Sequence, residues 1–141
     1  MFFAAPALPS VASPLVALIV DDIGQGRPAD CPSRWCACYL EKALAEAGLP
    51  QAGTNLARDF AEYGEPAAPA TVGSIMVMRG HVGVVAGQCE DGSVQLLSGN
   101  HGRKVGVGCY PLSKAIAWRM PSGQEPAQGK RRTLTDIFRG D

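Results

Sequence analysis

Apolar and polar positions change period partway along this chain. Up to about residue 63 the apolar residues recur at helical spacing, and beyond residue 70 they run in short blocks broken by glycine. Ser13-Pro14 reads as an N-cap followed by proline in the first turn. Leu15, Val16, Leu18, Ile19 and Ile23 then mark a helix that stops near Gly24-Gln25-Gly26. A second helix is expected from Cys36 to Ala47, with Ala37, Leu40, Leu44 and Ala47 on one face, Gly48 closing it and Pro50 preventing continuation. Ser33 is its nearest good capping side chain, which puts Trp35 and Cys36 in the first turn. A short third helix fits Thr54 to Tyr63, with Leu56, Ala57, Phe60 and Ala61 inward and Gly64 ending it. After a loop, Glu65-Pro66-Ala67-Ala68-Pro69, five strands are predicted: Ser74 to Met78, His81 to Ala86, Ser93 to Leu97, Val105 to Cys109 and Ile116 to Arg119. Helices first and strands afterwards predict an α+β domain, its N-terminal helices packed on one side of a C-terminal antiparallel β-sheet.

Composition narrows the function without naming it. A chain of 141 residues suits one domain with its own core. Thirteen Lys and Arg balance thirteen Asp and Glu, so net charge supplies no pull toward nucleic acid or an anionic membrane surface. The basic run Lys130-Arg131-Arg132 reads as part of a solvated tail, residues 122–141. The first twenty residues carry no charge, yet Pro6, Pro9 and Pro14 would repeatedly kink a membrane-spanning helix, so no transmembrane helix is expected. Residues 1–13 read as an extension or signal remnant: Phe2-Phe3-Ala4-Ala5 is a short apolar region and Val11-Ala12-Ser13 is small, although a positive n-region is missing. The domain is expected over residues 14–121.

Five cysteines leave at least one thiol unpaired within a monomer, and Cys36 is the expected one. Cys31, Cys38, Cys89 and Cys109 permit three pairings; Cys89 with Cys109 suits their places near strand ends. Cys36-Ala37-Cys38 has the wrong spacing for a structural zinc site and lacks the Cys-x-x-Cys geometry of a thiol redox protein, and the Gly24-Gln25-Gly26 stretch lacks the Lys and Ser/Thr of a phosphate loop. No metal and no cofactor is therefore expected. A thiol at a helix start meets unpaired N–H groups and the positive end of the dipole, which favour a thiolate. With only two histidines in the chain, a general base has to be His81, at the head of Val82-Gly83-Val84-Val85-Ala86, or His101. Asn100, in Ser98-Gly99-Asn100, can serve as the group that fixes the tautomer of the base, or as an ordinary turn residue; His101 is the alternative third group.

Trp35-Cys36-Ala37, Gly80-His81-Val82-Gly83-Val84-Val85, Ser98-Gly99-Asn100 and the closing Ile116-Ala117-Trp118-Arg119 together resemble the papain-like cysteine hydrolases of the NlpC and CHAP class. The likeness is to a compact bacterial and phage-associated branch with Gly-x-Gly-x-Pro ahead of the Trp-Cys block, here Gly24-Gln25-Gly26-Arg27-Pro28. It departs at the Pro-x-x-Gly-Asp turn before the histidine strand, where Ala70-Thr71-Val72-Gly73-Ser74 lacks the acidic residue. The resemblance implies a papain-like fold and cleavage of amide bonds in cell-wall peptidoglycan, by an endopeptidase or an N-acetylmuramoyl-L-alanine amidase. In that reading Cys36 is the nucleophile, His81 the general base and Asn100 the orienting group, with Trp35 and Gly80 beside the cleft. It also implies a monomer acting on stem peptides outside the cytoplasm or delivered to the wall by a phage. The alternative is a module on the same fold that binds wall peptides without cleaving them.

Overall fold

The two periods of the sequence become two layers in a computed structural model that describes residues 13–123. The signal-like segment before Ser13 and the run Lys130-Arg131-Arg132 lie outside the described residues. The N-terminal layer holds helices α1 (Pro14–Asp22) and α2 (Cys36–Glu46) and a 3₁₀ turn, Ala57–Glu62. The second layer is a six-stranded sheet of β1 (Glu65–Pro66), β2 (Ile75–Val77), β3 (Val82–Gln88), β4 (Val94–His101), β5 (Lys104–Tyr110) and β6 (Ala117–Met120), in the order β1-β6-β2-β3-β4-β5. Every pairing is antiparallel, as the helices-then-strands order predicts for an α+β domain. Among the described residues no helix is long and apolar enough to cross a membrane.

Local chemistry explains where these elements begin. The Ser13 hydroxyl accepts from the Val16 N–H at 3.2 Å and caps α1 as expected. Ser33 does not cap α2: the N-cap is Trp35, no side chain caps the helix, and Cys36 is its first helical residue. The predicted α-helix over Thr54 to Tyr63 shrinks to the 3₁₀ turn. Side-chain hydrogen bonds hold the segment ahead of it in a non-helical path. The Glu41 carboxylate accepts the N–H groups of Ala52, Gly53 and Thr54, and the Thr54 hydroxyl accepts from Leu56 N–H while donating to Asp59. Leu56, expected inward, is 55% exposed. The Glu65-Pro66 pair, expected in a loop, forms a short edge strand against Met120 and Arg119.

The sheet separates two apolar clusters. On the helical face Leu15 and Ile19 of α1 and Ala37, Leu40, Ala43 and Leu44 of α2 meet Ile75, Val77, Val82, Val84, Leu97 and Val105. Met76, Met78, Val85, Val94 and Leu96 form a smaller cluster on the other face. At the missing acidic turn, Ser74 does the closing: its hydroxyl donates to the Thr71 carbonyl at 2.6 Å and its own carbonyl accepts from Val85 N–H. Ser98-Gly99-Asn100 is not the end of a strand but part of β4, which bulges between Ser98 and His101 and carries Asn100 at φ 58°. Gly99 is required there because an added Cβ would sit 2.7 Å from the Tyr39 Cβ and 2.9 Å from the Trp35 ring, so glycine lets α2 press onto the sheet.

Candidate active site

Cys36 is the free cysteine among the described residues, with Cys31 joined to Cys38 and Cys89 to Cys109. The first disulfide ties the segment leading into α2 to the first turn of that helix, on either side of Cys36. Buried to 6% exposure, the thiol has its pKa pushed above the ordinary range by loss of water. The N–H groups of Val82, Ala37 and Cys36 itself work in the opposite direction. Burial outweighs them, so the expected resting thiolate gives way to a neutral thiol ringed by donors. The helix start supplies these donors because no side chain occupies its cap.

His81 sits immediately before β3, next to the Val82 whose N–H reaches the Cys36 sulfur. Burial, and then the charge of His101, lower its pKa to about 4, so the imidazole is a neutral base at neutral pH. The ring lies face to face with Tyr110, centroids 5.5 Å apart and planes 19° from parallel. Its Nε2 is 2.8 Å from the Ser98 hydroxyl. Ser98 is a buried polar residue at 3% exposure and also hydrogen-bonds the Tyr110 phenol, whose oxygen lies 3.2 Å from His101 Nδ1. Four side chains thus form one chain of contacts: His81, Ser98, Tyr110, His101.

The residues singled out in the sequence separate here. Cys36 is linked to the His81 segment through the N–H of Val82, the residue after His81. At the far side of His81, however, the structure puts Ser98 where Asn100 was expected, and His101 is one step further away, beyond Tyr110. The bulge accounts for this, since it turns Asn100 into a left-handed conformation after Ser98 has already met the imidazole. Trp35 is 2% exposed, edge-on to Tyr39, and serves the core instead of lining the cleft. Gly80 does line the cleft, with Cys36, Arg34, Asn55, Leu56, Ala57, Arg58 and Arg79, around a volume of about 190 Å³.

Sequence reasoning missed Ser98 and Tyr110, although β5 carries a signal. Gly106, Gly108 and Tyr110 alternate along one face, in register with Ser98, Leu96 and Val94. A Cβ on Gly108 would lie 2.5 Å from the His101 ring, and one on Gly106 3.0 Å from it. The two glycines make room for an imidazole, which a Gly-x-Gly-x-Tyr strand could have suggested. Among the described residues no three His, Cys, Asp or Glu side chains come together as a metal-ligand set.

No family model matches the chain, and no curated protein matches it. A solved structure of the peptidoglycan hydrolase RipB from Mycobacterium tuberculosis superposes with a TM-score of 0.54 at 14% identity, over 84% of this chain and 72% of that one. At that identity the likeness speaks to the arrangement of the chain in space and not to residue roles. The protein therefore shares its α+β fold with a peptidoglycan hydrolase.

Proposed function

We propose that the protein is a cysteine-dependent amide hydrolase acting on cell-wall peptidoglycan, with a papain-like arrangement of Cys36 and His81. The observation that carries the reading is the neutral thiol at the uncapped start of α2, held by the N–H of Val82, the residue after His81, whose neutral imidazole is itself anchored on Ser98. The shared fold with RipB supports the choice of substrate, and the two disulfides suit work outside the cytoplasm.

The proton path follows from the contacts. With Nε2–H donating to Ser98, Ser98 donating to Tyr110 and Tyr110 donating to His101 Nδ1, every donor has an acceptor and Nδ1 of His81 carries the free lone pair. That nitrogen takes the Cys36 proton as the sulfur attacks the amide carbonyl. The N–H groups of Val82, Ala37 and Cys36 stabilise the sulfur as its charge develops, and as that charge passes to the carbonyl oxygen the Cys36 N–H at the helix start turns to the oxyanion. The protonated imidazole then passes its proton to the departing amine, and water activated by the same ring releases the acid from the acyl-enzyme. Ser98 replaces Asn100 as the orienting group in this scheme.

Incubation with purified peptidoglycan, with new termini identified by mass spectrometry, tests the proposal. Cys36→Ala and His81→Ala are each expected to lose at least ~100-fold in rate. Turnover unaffected by Cys36→Ala would overturn it, and tight binding to peptidoglycan without turnover by the unaltered protein would assign a binding module instead.

A further inference from the structure

Three arginines surround the cleft beside the thiol. Arg34 stands two residues before Cys36, Arg79 two residues before His81, and Arg58 on the 3₁₀ turn closes the third side. All three side chains are exposed. Of the other described arginines, Arg27 donates to the Cys31 carbonyl at 2.5 Å and Arg119 to the carbonyls of Tyr63 and Gly64, while Arg103 stands in the turn between β4 and β5, outside the cleft lining. Arg34, Arg58 and Arg79 make no hydrogen bond or ion pair with any described residue. No acidic residue lines the cleft. Asp59, next to Arg58 in the chain, accepts from the Thr54 hydroxyl instead.

Like charges gathered without counter-charge repel one another, and the repulsion is relieved when an anion enters. A guanidinium presents a planar fork that pairs with a carboxylate through two parallel bonds. In a chain of zero net charge, three such groups around one cleft of about 190 Å³ make a local cationic site at the nucleophile. We propose that this cleft is a carboxylate subsite, so that the substrate is an acidic peptide whose free carboxylate lies beside the scissile amide. The substrate clause rests on the hydrolase reading above; the anion preference of the cleft does not. A wall peptide in which that carboxylate is amidated would be a poor substrate, because the amide carries no charge for the arginines to meet.

Because Cys36 is the free thiol, alkylation reads the field at the cleft without any need for turnover. The protein is treated with iodoacetate and iodoacetamide, which differ in charge, at low ionic strength, and the ratio of the two rates is compared among variants. Arg34→Gln, Arg58→Gln and Arg79→Gln should each lower the iodoacetate-to-iodoacetamide ratio ~2- to 3-fold, and the triple variant about tenfold. Lys104→Gln, on the outer strand β5 and outside the cleft lining, should leave it unchanged. Raising salt to about 0.5 M should collapse the difference between wild type and triple variant. A ratio that does not move in the triple variant would overturn the subsite.

A second arm uses paired peptides, one with a free carboxylate next to the cleaved amide and one with that carboxylate amidated. The expected result is a kcat/KM about tenfold higher for the acid, lost in the triple variant mainly through KM. Equal cleavage of both peptides overturns the substrate class. A ratio that shifts while neither peptide is cleaved leaves the anion subsite standing and removes the hydrolase reading.

Discussion

Cys36 divides two regions of opposite character. On one side His81, Ser98, Tyr110 and His101 pack between β3, β4 and β5, part-buried and joined contact to contact. On the other, Arg34, Arg58 and Arg79 stand in solvent with no described partner. The closed side is built to hold one geometry, since a buried donor left without an acceptor costs about 1–3 kcal/mol. The open side is built to accept something, since its groups gain nothing until a counter-charge arrives. Positioning and recognition are therefore carried by different residues and should fail in different ways when disturbed.

The largest expected effect falls on the closed side and depends on pH. His81 titrates at about 4 in the folded protein against an ordinary value of 6.5. Between these values the unfolded chain takes up a proton that the folded one refuses, so folding is favoured above pH 6.5 and stability is lost as pH falls toward 4. The loss should approach about 3 kcal/mol and then level off. Urea unfolding at pH 7, 5.5 and 4.5 measures it, and His81→Gln should flatten that slope. Asp30 and Asp91 have pKa values lowered from 3.8 and act below this window. A slope unchanged by His81→Gln would show that the imidazole is not buried as described.

Opening the Cys89–Cys109 disulfide should cost nearly as much. It closes a 20-residue span and ends next to Tyr110, so it braces the closed side directly. Cys89→Ser with Cys109→Ser is expected to lower stability by about 3 kcal/mol, read as a drop in Tm. The Cys31–Cys38 bridge spans only 7 residues and should matter less to stability. If the shorter bridge proves the more stabilising, the closed side is not the braced one.

How much of this division could be seen in the sequence follows from what each part depends on. The helix starting at Cys36 and the strand after His81 depend on local periodicity and chain neighbours, so both were legible. Arg34 and Arg79 were visible as neighbours of those two residues, but their convergence with Arg58 required the fold. The third helix was misread at its start, where Glu41, distant in sequence, fixes the N–H groups of Ala52, Gly53 and Thr54 and the turn begins only at Ala57. Asn100 fitted a motif, whereas the contact with His81 is fixed by the β3–β4–β5 register and a bulge that moves the contact to Ser98. Register across strands is a tertiary property, and no spacing along one strand encodes it.

Ser98→Ala tests the division next. It removes the acceptor of the His81 Nε2–H and leaves that group buried. A kcat lowered ~10- to 100-fold with KM nearly unchanged is expected, the reverse of the arginine variants. Iodoacetamide should also react more slowly with Cys36 in this variant at neutral pH, because the base no longer holds its tautomer. A change confined to KM would move Ser98 to the recognition side.

The smallest effect belongs to the far end of the chain of contacts. Tyr110→Phe keeps the ring stacked on His81 but removes the hydroxyl between Ser98 and His101. Ser98 keeps its contact with Nε2 and loses only its own acceptor, so kcat should fall about 3- to 10-fold, corresponding to ~1 kcal/mol. Gly108→Ala breaks the same link from the other end, since its new Cβ would occupy the place of the His101 ring, 2.5 Å away. If the hydroxyl acts through His101, the two substitutions share one consequence and the double variant is no slower than the slower single one. Additive losses would instead mean that Tyr110 and His101 reach His81 independently, as the charge of His101 acting directly on His81 would produce.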